Sequence, residues 1–410
     1  MSSSRRGRNH RARAVAVRAL LVILGMAAAV VLVEGALRLS GTGRGFARPD
    51  AAIGYVLTPS FTRTLPLFEH AGGKVVLRTN NLGLRRDSDT PLAKPAGDTR
   101  VLVLGDSQSE GIVSNAEAYP TLLEAALAGD GIGTVEVLNA AVSGYSPLLE
   151  YLALTMQRAV LQPDLIVLAL YTGNDVAELQ MHQEDFGGFG PRFSLPFLEP
   201  ADGSWRVSLP GSEQGWLGRA DWLLGCDLRG YWLLRKRLRS TGGGADAALA
   251  RVAAQCPGCL QALWQPYVAH GELAGLAEPF DKLGFLVEQF SAASARLGAA
   301  LLVVVIPTRL EVESGRAAAA VTAATRILGL QGDPAAFDTA VRQRMIDLAE
   351  RRGVRVLDLL PALRRGAANA GGLYWALDWH LDVEGHRVVA EAVHPVVAEI
   401  LRSRRGQHGG

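Results

Sequence analysis

The chain has little of several things that would narrow its chemistry. Three cysteines occur in 410 residues, and 42 lysines and arginines nearly balance 40 aspartates and glutamates. A net charge of +2 leaves no electrostatic footprint for a nucleic acid, so that partner is not expected. Cys256-Pro-Gly-Cys259 has the spacing of a zinc half-site or a redox pair, but no second cysteine pair exists and no strand–helix redox context adjoins it. A local disulfide is the remaining reading if the segment lies outside a membrane. Cys226 reads as a small interior hydrophobe. His10, His70, His182, His270, His394 and His408 show no ligand spacing. No internal repeat is evident, and the chemistry is expected to need no metal and no organic cofactor.

What is present begins at the N-terminus. Arg5, Arg6, Arg8, Arg11, Arg13 and Arg18 precede the uncharged run Ala19–Val33, and Glu34-Gly-Ala-Leu-Arg-Leu39 follows. A basic flank before an apolar segment is retained in the cytoplasm while the segment crosses outward. Extended to Leu37, the segment approaches the usual length of about 20 residues for a span. Glu34 occupies the position that should be small before Ala36 at a cleavage site, so an uncleaved anchor over 14–39 is the first reading and a cleaved signal its rival. On the anchor reading the protein is single-pass in a bacterial inner membrane, with its N-terminus cytoplasmic and the rest periplasmic.

Residues 1–39 are therefore read as a basic tail and anchor, and 40–98 as a glycine-bearing tether followed by a β- and turn-rich lead-in. From 99 to 402, continuous apolar runs alternate with helical stretches. Strands are expected at Arg100–Leu104, Val135–Leu138, Leu165–Leu170, Ala300–Ile306 and Val354–Leu357. Helices are expected at Tyr119–Ala128, Leu148–Val160, Pro279–Leu297, Ala335–Arg351 and Arg387–Leu401. Apolar strands separated by helices of this length imply an α/β fold, with a parallel sheet of about five strands covered on both faces. The pattern breaks over 180–279, where Gly187-Gly-Phe-Gly190, Trp205, Trp216, Trp222, Trp232 and Trp264 cluster. A long insertion after a site loop commonly forms a cap. Its tryptophans either pack it to the core or stack on carbohydrate. The last residues, 403–410, read as a disordered tail.

Several segments fall at expected strand ends, where open α/β sheets place their chemistry. Val101–Leu104 leads into Gly105-Asp106-Ser107-Gln108. Asn139-Ala-Ala-Val-Ser-Gly144 follows the second strand, and its glycine lets a backbone N–H come close to a ligand oxygen. Tyr171-Thr-Gly173-Asn174-Asp175 follows the third, with an amide able to donate to an oxyanion. Asp378-Trp-His380 precedes Asp382-Val-Glu-Gly385-His386 and the final helix. Asp106 and Asp175 are expected to brace their loops by hydrogen bonding, and Asn139 to serve a turn. Asp382 is expected to cap the final helix rather than replace Asp378, and His386 to be a packed or capping group. Gln108 is given no role.

These blocks, in this order, resemble the SGNH (GDSL-type) hydrolase superfamily over roughly Arg100–Ile400, the insertion apart. Asn80-Asn-Leu-Gly-Leu-Arg85 also resembles a segment of its membrane-anchored bacterial members. The resemblance implies a three-layer α/β/α flavodoxin-like domain. It implies Ser107 as nucleophile, His380 as base and Asp378 as its orienting acid, with an oxyanion hole of the Ser107 N–H, the Gly144 N–H and the Asn174 side chain. Two departures stand out. Gln108 occupies the usual leucine position, and a single residue, Trp379, separates Asp378 from His380. On an extended segment residues i and i+2 share a side, so the pair is expected to remain within reach. The short spacing resembles periplasmic polysaccharide O-acetyltransferases. The expected activity is cleavage of an acyl ester, an O-acetyl group of an envelope carbohydrate or lipid in particular. Acyl transfer on the same fold and a non-catalytic envelope assembly role are the alternatives. The substrate is expected to be a small-molecule or glycan ester, and no oligomeric state is readable.

Overall fold

The computed structural model describes residues 3–41, 45–180, 194–212, 215–231, 233, 276–313, 315, 340–376 and 379–408. Its centre is a five-stranded parallel sheet: β5 (Thr99–Gly105), β6 (Val135–Asn139), β7 (Leu165–Tyr171), β10 (Ala300–Ile306) and β11 (Arg355–Asp358). Their spatial order is β6-β5-β7-β10-β11. Counting sheet strands along the chain, this is the 2-1-3-4-5 winding of flavodoxin-like folds, in which the chain reverses direction between the first strand and the third. In such sheets ligands bind beyond the carboxyl ends of the strands at this reversal, here those of β5 and β7.

Side-chain alternation along the strands supplies two cores, one on each face. Leu102, Leu104, Leu138, Ile166, Leu168, Val303 and Val305 pack with the helices Pro147–Ala153, Ala277–Arg296 and Ala340–Glu350. Val101, Val103, Val137, Val167, Leu302 and Val304 pack with Tyr119–Leu127, Leu360–Ala370 and Val383–His408. The result is the three-layer α/β/α arrangement. Every residue of β5 is buried. At roughly 1.5–3 kcal/mol per fully buried Val or Leu, such burial is what holds the strand ends rigid.

Two antiparallel hairpins precede the sheet: β1 (Ala47–Asp50) with β2 (Gly54–Leu57), and β3 (Thr62–Pro66) with β4 (Lys74–Arg78). They account for the β- and turn-rich reading of that stretch. A third hairpin, β8 (Phe197–Ala201) with β9 (Ser204–Ser208), lies within the insertion. Trp222 is buried, Trp205 is half-buried beneath the Lys282 ammonium at 5.0 Å, and Trp216 is exposed. Trp232, Trp264 and the Cys256–Cys259 pair lie outside the described side chains. Cys226 is half-buried rather than fully interior.

The N-terminal helix α1 runs Ser3–Ser40, and its Arg13–Ser40 portion is long and apolar enough to cross a membrane. Its far end is not a bare tether. Glu34, 9% exposed, accepts from Arg38 Nε at 2.7 Å and from the Gly230 N–H at 3.0 Å. Arg38 also donates to the Asp227 carbonyl at 2.7 Å, and Arg229 donates to the Leu37 carbonyl at 3.2 Å. The helix end is thereby clamped to the insertion.

The C-terminus departs from expectation as well. The final helix continues through His408, so the stretch from 403 is helical rather than disordered. Arg404 donates to the Gly298 carbonyl and Arg405 to Thr99 Oγ1. Arginines that read as a solvated tail in the sequence are thus tied to the sheet's rim.

Candidate active site

Ser107 sits two residues beyond β5, at the first position of a one-turn helix, Ser107–Glu110. Asp106 is its N-cap, with a side chain accepting from the Gln108 N–H at 2.9 Å. Such a cap satisfies one of the free N–H groups at the start of the turn. Ser107 Oγ donates to the other carboxylate oxygen over a long 3.4 Å. Asp106 is fully buried, which pushes its carboxyl up to about 6 against the opposing pull of the Gln108 amide and the His380 charge.

The turn is held from behind by a residue of the upstream Asn80–Arg85 segment. The Arg85 guanidinium, 2% exposed, donates to the carbonyls of Gly111 and Val113 at 3.1 and 3.0 Å and to Asn115 Oδ1 at 3.0 Å. It also faces Glu110 at 3.8 Å. Gly111 is left-handed, at φ 80°, and a Cβ there would lie 2.9 Å from the His386 ring, so this turn admits glycine alone. Asn139 accepts from the Ala141 N–H at 3.1 Å, as a turn residue does, and donates to the Ser109 carbonyl at 3.0 Å.

Gly144 lies in the loop after β6 with φ 78°. The peptide that carries its N–H is fixed at the other end, because the Ser143 carbonyl accepts from the Tyr55 hydroxyl at 2.7 Å. In a planar trans peptide the N–H points opposite the carbonyl, so Tyr55 determines where the Gly144 N–H is aimed. Ser143 N–H in turn donates to Glu110 at 2.6 Å. Tyr55, on the first hairpin, carries no motif signal and went unread in the sequence.

Asn174 caps the one-turn helix Asp175–Glu178 at the end of β7. Its amide nitrogen donates to Glu178 Oε1 at 2.6 Å, leaving one N–H of the amide for another acceptor. Asp175 accepts from the Tyr171 N–H at 2.7 Å, again a brace. Beneath this turn lie carboxyls with few partners. Among the described residues, Glu150 is fully buried with neither oxygen hydrogen-bonded, and Asp175 Oδ1 is likewise without a partner. Desolvation first, then the neighbouring acids including Asp106, push Glu150 and Asp175 far above the ordinary carboxylate range.

His380 lies close enough for its charge to act on Asp106 and on His386. Its backbone carbonyl accepts from the Trp375 N–H at 2.9 Å. Trp379 before it is left-handed, at φ 65°, so the extended alternation expected between residues 378 and 380 does not hold there. Asp378 itself lies outside the described residues. Arg309, from the end of β10, supports this loop by donating to the Ala376 carbonyl at 2.9 Å and facing the Trp379 ring at 5.9 Å. Gln108 reaches the same loop: its Oε1 accepts from the Leu381 N–H at 3.0 Å, and its Nε2 approaches the Trp379 carbonyl at 3.5 Å.

Asp382 accepts from the Gly385 N–H at 2.8 Å at the start of the final helix, the capping role expected of it. His386 is buried, stacked 5.9 Å from Tyr119, and its Nδ1 accepts from the Tyr119 N–H at 3.3 Å. Burial first, then the Arg85 and His380 charges, push it down to about 3, so it is a neutral packing group. His70 and His394 pair with Glu117 and Asp130, each at 3.0 Å. Among the described residues no cluster of three metal-ligating side chains occurs.

No known family profile and no curated protein matches the chain. Solved structures do. A lipase/acylhydrolase from Enterococcus faecalis is 12% identical, with 73% of this chain and 96% of that one covered and a TM-score of 0.35. An acetylxylan esterase from Geobacillus stearothermophilus, in a catalytic-mutant form, is 12% identical, with 72% and 92% covered and a TM-score of 0.36. A two-domain esterase active on acetylated mannans is 9% identical, with 75% and 51% covered and a TM-score of 0.35. At these identities the chemistry rests on the residues of the site itself.

Proposed function

We propose that the chain is a serine esterase of the SGNH type, held at a membrane by α1 and acting on an acyl ester, with an O-acetyl group of an envelope carbohydrate or lipid as the preferred substrate. One observation carries this reading. Ser107, Gly144 and Asn174 each follow one of three adjacent parallel strands, and His380 lies within electrostatic reach of the carboxylate beside Ser107. The crevice beyond β5 and β7 is where such a sheet receives a ligand.

In this mechanism Ser107 Oγ attacks the ester carbonyl carbon while His380 accepts the hydroxyl proton. The carbonyl oxygen becomes an oxyanion facing the Ser107 N–H, the Gly144 N–H and the Asn174 amide. Collapse breaks the carbon–oxygen bond to the leaving alcohol, which takes the proton back from His380 and leaves an acyl-serine. Water, deprotonated by His380, then releases the carboxylic acid and frees Ser107. Asp378 is proposed as the group that orients the imidazole. The orientation across a bacterial inner membrane follows the arginine-rich flank.

The full-length protein in detergent is expected to turn over p-nitrophenyl acetate and to take a fluorophosphonate label on Ser107. Ser107→Ala should lower turnover by about 10⁴-fold or more. Neither turnover nor label in the intact protein would overturn the reading. The single-residue gap between Asp378 and His380 favours a second reading, transfer of the acetyl group to a glycan hydroxyl. A product assay in which acetylated glycan exceeds free acetate would select it.

A further inference from the structure

We infer that Gln108 is a positioning residue that ties the base to the nucleophile, replacing with a polar clamp what the usual leucine at this position cannot supply. The inference deepens the esterase reading and rests on it. Gln108 is 2% exposed and adjoins Ser107 on the same one-turn helix. Its backbone N–H is already committed to Asp106 at 2.9 Å, so the peptide that joins it to Ser107 is fixed.

Its side chain then spans to residues more than 270 positions away. Oε1 accepts from the Leu381 N–H at 3.0 Å, and Nε2 faces the Trp379 carbonyl at 3.5 Å. The orientation of the amide is dictated, since a backbone N–H can only donate and a carbonyl can only accept. These two contacts fall on the residues immediately before and after His380. The amide therefore grips the backbone on both sides of the base.

The grip matters because the base loop has a reason to relax. Trp379 holds a left-handed backbone that a bulky residue avoids, and such a conformation persists only where its surroundings over-determine it. The clamp from Gln108, the Arg309 bond to Ala376 and the Trp379 N–H bond to the Trp375 carbonyl at 3.1 Å supply that constraint. Of these, Gln108 alone is attached to the nucleophile's own turn. Loss of its amide frees the Ser107-to-His380 separation while leaving the rest of the loop in place.

The test compares the full-length protein with Q108L and Q108E. In Q108L the p-nitrophenyl acetate kcat is expected to fall about 10–100-fold, as for a misplacement of the order of 1 Å, with KM within about twofold. Q108E retains the acceptor for Leu381 and places a carboxyl beside the base. There the titration of the His380 imidazole, followed by NMR with ¹⁵N-histidine and assigned with His380→Gln, should move to higher pH. The fluorophosphonate labelling rate of Ser107 should fall in step with kcat in Q108L. A Q108L that keeps kcat within about twofold, or an unshifted His380 titration in Q108E, would overturn the inference. The NMR arm needs no turnover. If the wild-type protein hydrolyses nothing while the Q108E titration moves, the clamp stands and the esterase reading fails.

Discussion

The turn after β5 and the turn after β7 are both buried, and each carries acids, yet they handle charge in opposite ways. Around Ser107 the polar groups are matched: Asp106 to a backbone N–H, Glu110 to Ser143 and Arg85, and Arg85 to the Gly111 and Val113 carbonyls. Below Asn174, among the described residues, Glu150 and Asp175 carry oxygens with no hydrogen-bond partner. The first turn is held chiefly by hydrogen bonds and one charge pair, with Asp106 alone raised by burial, whereas at the second burial raises Glu150 and Asp175 together. Loss of a partner should therefore cost most stability at the first turn, and the fall of stability with rising pH should come chiefly from the second.

The largest effect should come from breaking the pairing. Arg85→Met leaves Glu110 buried and opposite no cation. Removal of one partner from such a pair costs about 3–5 kcal/mol, read as a fall in the denaturation midpoint with loss of Ser107 labelling. Next, Asn174→Ala should lower kcat by about 10²–10³-fold with the fold intact, the usual cost of one oxyanion donor. A loss under about threefold would remove Asn174 from the proposed oxyanion hole.

The smallest effect is a pH slope. The folded protein holds the Glu150 proton well above the pH at which the unfolded chain releases it. Between those two values the native state binds more protons than the unfolded state, so stability falls as pH rises from about 4.5. Glu150→Gln removes that penalty. Its gain over wild type should grow from pH 5 to pH 8, to about 1–3 kcal/mol, the range for one unpaired buried polar group. A constant difference across that range would show that Glu150 is ionised in the fold.

What could be read from the sequence follows from how local each signal is. The sheet strands announce themselves because Val101–Leu104, Leu165–Leu170 and Ala300–Ile306 are continuous apolar runs bounded by helical patterns. The placement of Ser107, Gly144 and Asn174 after strands is visible for the same reason. Tyr55, Arg85 and Gln108 carry no such signal, because each acts on a partner 26 to 273 residues distant and only the winding of the chain brings them together. The left-handed Trp379 was unreadable too, since nothing in Asp378-Trp-His380 marks a backbone that bulky residues avoid. The helical C-terminus escaped because its arginines find their acceptors on the rim of the sheet.

The clamp between α1 and residues 227–230 has a geometric consequence. With α1 in a bilayer, the buried Glu34 and its bonds to Arg38 and Gly230 make the anchor and the insertion turn together, so the body behaves less as a ball on a string than as a fixture on a post. A catalyst mounted this way presents the Ser107 turn at a set height and tilt. It searches in two dimensions, and an ester is within range only if diffusion or another protein delivers it to that height.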